Sequence, residues 1–186
     1  MTKNIAIFAS GGGSNAEVIM SHFEESTIGE IALVVTNNQN AGVIDRAEKH
    51  NVPFYILDNG ELEEGEFSEV LEALEIDFIV LAGFLKKIPI DIIENYSKKI
   101  VNIHPALLPK FGGKGMYGHH VHQAVVDAKE TESGITIHYV NEKYDDGAII
   151  EQHKVSLDTQ NTAEQVAEKV LAVEHQFYAP CIEKLL

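Results

Sequence analysis

Only one cysteine, Cys181, and one arginine, Arg46, occur in this 186-residue chain, and nowhere do eighteen apolar residues run together. A single cysteine excludes an internal disulfide and any cysteine-cluster metal site, and fits a reducing compartment. With one arginine, bidentate guanidinium recognition of phosphate or carboxylate is scarcely available, so lysines or backbone N–H groups must hold an anion. Without a long apolar run there is no membrane-spanning helix to predict, and the apolar start is too short before its glycines to form a signal-peptide core. Basic charge is also scarce. Twenty-nine acids against 14 bases give a net charge of −15, which opposes binding of a polyanion by the surface as a whole. No internal repeat, low-complexity tract or interdomain linker is visible. A cytoplasmic protein of one domain, residues 1–186, is expected, with small-molecule partners, no nucleic acid and no membrane. Monomer and homodimer are equally compatible with the sequence.

Among the residues present, the stretch Asn102-Ile103-His104-Pro105-Ala106-Leu107-Leu108-Pro109 carries the most chemistry. Lys99-Ile100-Val101 and Ile103 look like the end of a buried strand, and the two prolines forbid a helix directly afterwards. Asn102 and His104 thus sit where a strand exits, the edge at which open α/β sheets bind ligands. Two residues apart on extended chain, their side chains project to one side, and both can donate to one oxygen. The arrangement suits an oxyanion site; a polar turn is the plainer alternative.

Residues 5–9 form an apolar run that ends in Ser10-Gly11-Gly12-Gly13, after which residues 15–23 carry apolar side chains at helical spacing. Strand, glycine turn and helix together aim backbone N–H groups and the helix's positive end at one spot, where a phosphate is stabilised. The glycine order of a dinucleotide site and the Lys-Ser/Thr of a P-loop are both missing, which disfavours a dinucleotide or ATP. A turn needed only for packing also fits. Helices over residues 41–50 and 67–74 alternate with strands over 31–35, 54–56 and 77–82, the last hydrophobic enough to be central. Further strands are expected at residues 134–140 and 148–155, with helices at 119–128 and 162–185. The expected class is α/β. His119, His120 and His122 suggest a metal at first sight, but residues i and i+2 of a helix face apart and no nearby carboxylate completes a ligand set, so no metal is expected. Asp145 and Asp146 lie in an Asp-Asp-Gly turn, which by itself is usually only a turn.

Asn-Ile-His-Pro-Ala-Leu-Leu-Pro resembles the signature of the folate-dependent formyltransferases, particularly those acting on glycinamide ribonucleotide, and the likeness extends over almost the whole chain. The resemblance implies a single-domain Rossmann-like fold with a mostly parallel sheet and helices on both faces. It also implies formyl transfer from 10-formyltetrahydrofolate, as co-substrate and without a metal, to the amine of the ribonucleotide in purine synthesis. Catalytic roles would fall to Asn102, a protonated His104 and Asp145, Asp146 being the competing aspartate. Gly13, Ser14, Asn15 and Glu174 would hold the ribonucleotide. Leu85, Lys86, Lys87, Ile88, Asn102, Asn141 and Tyr144 would hold the folate, and His120 and His138 would lie beside the catalytic residues. Two departures stand out: the arginine expected near the folate tail is replaced by Asp58-Asn59-Gly60, and the Gly112 to Gly118 segment is longer than usual. Relatives that formylate tRNA or hydrolyse the folate would need further domains. A non-catalytic phosphate-ligand sensor would use the glycine turn alone and leaves Asn102, His104 and Asp145 unexplained.

Overall fold

A computed structural model describes residues 2–58, 60–62 and 65–186. Asn59, Glu63 and Glu64, within the acidic segment that departs from the family's pattern, lie outside the described residues. The chain divides into two compact units, Met1–Val101 with Ala179–Leu186, and Asn102–Tyr178.

In the first unit, β1 (Lys3–Phe8), β2 (Gly29–Thr36), β3 (Phe54–Ile56) and β4 (Phe78–Leu81) alternate with α1 (Ser14–Phe23), α2 (Val43–Lys49) and α3 (Glu66–Ala73). α4 (Ile90–Asn95) and the start of β5 (Ile100–His104) follow. β1 pairs in parallel with β2 and β4, and β2 with β3. Burial explains the sequence pattern. All four residues of β4 are buried, as are Ile5, Ala6, Ile7 and Phe8 of β1, so apolar residues run on where an edge strand would alternate. α1 and α2 pack on one another and on β2, burying Ile19, Met20 and Phe23 from α1 and Val43 and Ala47 from α2.

In the second unit, the end of β5 is followed by α5 (His119–Asp127), β6 (Glu132–Tyr139), β7 (Ile149–Ser156) and α6 (Ala163–Leu185), whose last residues, from Ala179, count with the first unit. β6 and β7 pair antiparallel, with an irregularity between Ile137 and His138. The strand order is β3-β2-β1-β4-β5-β6-β7, which puts β4 in the middle as its hydrophobicity required. One element differs from the sequence reading. α4 was not expected; its start is set by Pro89, extended at φ −63° and ψ 156°, which admits a helix after it but not before. β5 runs through His104, so Asn102 lies within the strand and His104 is its last residue, at the strand exit the sequence indicated.

Candidate active site

The end of β5 carries Asn102, half-buried, and His104, which is 3% exposed. Strand pleating sends both to one side. The loop after them is held by Thr136 of β6, whose hydroxyl donates to the Ala106 carbonyl (2.7 Å) and accepts from the Leu108 N–H (2.9 Å). Gln152 of β7 adds an amide bond to the Leu108 carbonyl at 3.0 Å. A buried proline-rich loop has few N–H groups of its own, and these side chains complete its hydrogen bonding. Further on, Phe111 adopts a left-handed backbone (φ 56°) and its carbonyl accepts from His104 Nε2 at 2.7 Å. A carbonyl can only accept, so Nε2 carries the hydrogen and Nδ1 faces the other way.

Asp145 occupies that other side. Its Oδ2 lies 3.5 Å from His104 Nδ1 and accepts from the Gly113 N–H at 2.9 Å, while Oδ1 lies 3.7 Å from His138 Nε2. The turn that delivers it is tightly built: Asp145 itself has φ 54°, and a Cβ on Gly147 would fall 1.7 Å from the Tyr139 carbonyl. The side chain of Asp145 is 11% exposed, whereas that of Asp146 is 57% exposed and meets Lys143 at 3.9 Å. Of the two competing aspartates, the fold brings Asp145 to His104. His138 completes the group. Its Nδ1 donates to the Tyr139 carbonyl (2.9 Å), so Nε2 accepts from the Asn102 amide at 3.1 Å. The irregularity at Ile137/His138 is the kind of bulge that re-aims a side chain at a site.

The electrostatics bear on one expectation. Burial pushes the His104 imidazole below its ordinary pKa, and the opposing pull of Asp145 and of the Phe111 carbonyl does not reverse it. At 3.5 Å the contact to Asp145 is an ion-pair distance rather than a tight hydrogen bond, and desolvation outweighs it. Burial thus works against the imidazolium in the free protein, so the protonated His104 expected at the intermediate must draw on the charge that develops there. Asp145 is also desolvated, which raises it, but the neighbouring His138 and His104 rings and the Gly113 N–H together hold its carboxyl below the usual range.

The expectation for His120 fails: it is exposed and packs edge-on against Tyr117 with ring centroids 5.6 Å apart. The histidine of that run whose environment includes His104 is His122, buried on the Val121/Val125 face of α5 and pushed below its ordinary pKa by burial, then by His119 and His104. Its spacing from Val125 was the signal available in the sequence. Phe111, Gly113, Thr136 and Gln152 were also missed; each acts through backbone bonds or a polar residue inside a strand, which no local motif marks.

The other expected residues lie as follows. In the first unit, Gly13 caps α1 in the left-handed region (φ 73°), with Ser14 and Asn15 opening the helix and no side chain capping it. A Cβ on Gly13 would lie 2.6 Å from two Val43 atoms. Leu85 is exposed, its N–H donating to the Ser10 hydroxyl at 2.9 Å; Lys86 and Lys87 are exposed and Ile88 is buried. In the second unit, Glu174 is 8% exposed on α6, Tyr144 is exposed, and Asn141 accepts from the Lys143 N–H at 2.9 Å.

The family model described as formyl transferase matches residues 3–182. Among curated proteins, the chloroplastic phosphoribosylglycinamide formyltransferase of Arabidopsis thaliana is 40% identical over 187 residues, covering 97% of this chain and 64% of the relative. The chain thus spans less than two thirds of that plant protein's length, as it does for the Vigna unguiculata protein, at 61%. The Bacillus subtilis phosphoribosylglycinamide formyltransferase is 36% identical, with 99% of this chain and 95% of the relative covered. A solved glycinamide ribonucleotide transformylase from Geobacillus kaustophilus superposes with a TM-score of 0.91 at 34% identity over the full length of both chains. With the sequence motif, the strand order and these likenesses in agreement, the chain belongs to the formyl transferase family.

Proposed function

We propose that this protein transfers the formyl group of 10-formyltetrahydrofolate to the amine of N1-(5-phospho-D-ribosyl)glycinamide, a step of de novo purine synthesis. The observation that carries the reading is the buried meeting of Asn102, His104 and Asp145, within a chain whose relatives bear the name of that activity. Attack of a neutral amine on the formyl carbon creates a tetrahedral oxyanion. The second amide hydrogen of Asn102 is one donor for it and the Nε2–H of His104 the other, once it exchanges the Phe111 carbonyl for the oxyanion, and negative charge developing there favours the imidazolium that burial disfavours in the free protein. Asp145, ionised, accepts the amine's proton through water and supports the charged imidazole through Nδ1; collapse of the oxyanion then breaks the bond from the formyl carbon to N10, which takes up that proton and leaves as tetrahydrofolate. His138 positions Asn102 by accepting one of its amide hydrogens.

For the ribonucleotide we assign Gly13, Ser14 and Asn15 to its phosphate and Glu174 to its ribose. The α1 N-terminus suits an anion, since its N-cap is a glycine with no side chain to bond the first turn. For the folate we assign Leu85, Lys86, Lys87, Ile88, Asn102, Asn141 and Tyr144; Leu85 and Tyr144 offer large exposed apolar surface to a ring system. The protein would act as one catalytic domain, in the cytoplasm, as a monomer or homodimer. The test is to follow 10-formyltetrahydrofolate optically with and without glycinamide ribonucleotide. Deformylation that requires the amine is expected; deformylation without it, or binding without turnover, overturns the reading.

A further inference from the structure

The sole arginine is used where the family's resemblance assigned it nothing. Arg46 lies on α2, and its Nε donates to the Gly12 carbonyl at 2.6 Å, while its Nη1 pairs with Glu17 in the first turn of α1. Lys49, one turn later, reaches the same carboxylate at 2.7 Å. The start of α2 also grips the glycine turn directly. The Val43 N–H donates to the Gly11 carbonyl at 3.1 Å, a Cβ on Gly42 would sit 3.4 Å from Gly12, and one on Gly13 would strike Val43. Three consecutive glycines are costly to order, because each loses more backbone freedom than any other residue. They hold one conformation only where something outside them fixes it.

We infer that Arg46 is a positioning residue for phosphate: it clamps the Gly11–Gly13 turn through the Gly12 carbonyl and neutralises Glu17, whose charge would otherwise repel an anion at the α1 N-terminus. The role assigned is positioning and not ligation, since Nε and Nη1 face Gly12 and Glu17. Two effects act in the same direction. Losing the clamp makes the turn pay its ordering entropy on binding, and losing the cation leaves the Glu17 carboxylate, in the first turn of the helix that must accept the anion, paired only with the exposed Lys49. The inference rests on the proposed function, because it concerns the phosphate of that substrate.

The test compares Arg46→Met, which keeps the aliphatic stem, with Arg46→Lys, which restores charge for Glu17 but not the fork that serves two acceptors. In Arg46→Met the KM for glycinamide ribonucleotide should rise about tenfold or more, the scale of a lost charge-assisted hydrogen bond, with kcat at saturation and the folate KM little changed. Arg46→Lys should recover part of the loss. Ribose 5-phosphate affinity, measured by calorimetry, should fall in parallel, whereas turnover of the dephosphorylated glycinamide riboside should not respond to the substitution. Equal losses with and without the phosphate, or unchanged ribose 5-phosphate binding in a folded variant, overturn the inference. If Arg46→Met does not fold, Arg46→Lys with Glu17→Gln carries the same comparison. Wild-type protein that forms no product from the ribonucleotide refutes the functional reading instead, and ribose 5-phosphate binding still tests the clamp.

Discussion

The glycine turn before α1 and the polar cluster at the end of β5 solve opposite problems. The first is a backbone site. It has almost no side chains, and its order comes from outside, from Val43, Gly42 and Arg46 of α2. The second is a side-chain site in which two imidazoles and a carboxylate are kept 3.5 to 3.7 Å apart in near-complete burial. Adding an atom should damage the former, and changing a charge the latter. A backbone site fails by obstruction; a charged, buried site fails by losing its balance of desolvation and pairing.

The largest effect is expected at Asp145. Asp145→Asn keeps an acceptor for the Gly113 N–H but removes the charge that pulls His104 upward, so kcat should fall by about 10² to 10³, the scale of one lost stabilising contact to a developing oxyanion. The His104 pKa, followed by NMR, should drop further below its already lowered position. Asp146→Asn should leave turnover within a few fold. The reverse pattern would mean that the exposed aspartate, not the buried one, governs the imidazole.

Gly13→Ala comes next and tests the backbone side of the contrast. A methyl group there meets Val43 and must adopt a positive φ, a combination worth about 1 to 3 kcal/mol of stability. Thermal unfolding should shift downward by several degrees, roughly 2 to 4 °C per kcal/mol for a chain of this size. An unchanged midpoint would show that α2 does not grip the turn. Since obstruction and instability arrive together at Gly13, Gly12→Ala, where a Cβ meets nothing within 4 Å, separates phosphate binding from folding.

The smallest effect concerns acid stability. His104 and His122 are both pushed down by burial, so the unfolded chain binds their protons first. Stability is then greatest above the ordinary histidine pKa of about 6.5 and declines as pH falls from there toward the lowered native values. Asp145 acts separately: its contribution is complete above the ordinary carboxylate value and is lost as pH falls through its lowered one. Denaturant midpoints for His122→Gln should show a flatter decline between pH 6.5 and 5 than wild type, while His120→Gln should follow wild type. Equal flattening by both would remove burial as the cause.

The same contrast decides what could be read from residues alone. The strands β1 and β4 announce themselves because burial on both faces erases alternation, and Ser10-Gly11-Gly12-Gly13 announces its turn because only glycine tolerates it cheaply. Asn102 and His104 were legible as a pair because strand pleating relates residues two apart. Their partners were not readable from local physics. Only the family resemblance set Asp145 above Asp146 before the fold buried one and exposed the other, and the Phe111 carbonyl has no side-chain signature at all. His120 misled because the family's pattern outvoted the helix: with α5 starting at His119, the apolar face runs through Val121 and Val125, which buries His122 and leaves His120 in solvent. The desolvation of His104 was hidden for another reason, since it depends on how deeply the surrounding chain covers a ring, a quantity no short motif contains.

Cys181 offers a use for one more feature. The sole thiol of the chain is 1% exposed near the end of α6. A thiol reagent can reach it only when that helix end opens, so the rate of labelling is a clock for transient opening in the first unit. Labelling that slows as ribose 5-phosphate is added would report ligand binding through protection of a single sulfur atom, with no need to observe catalysis.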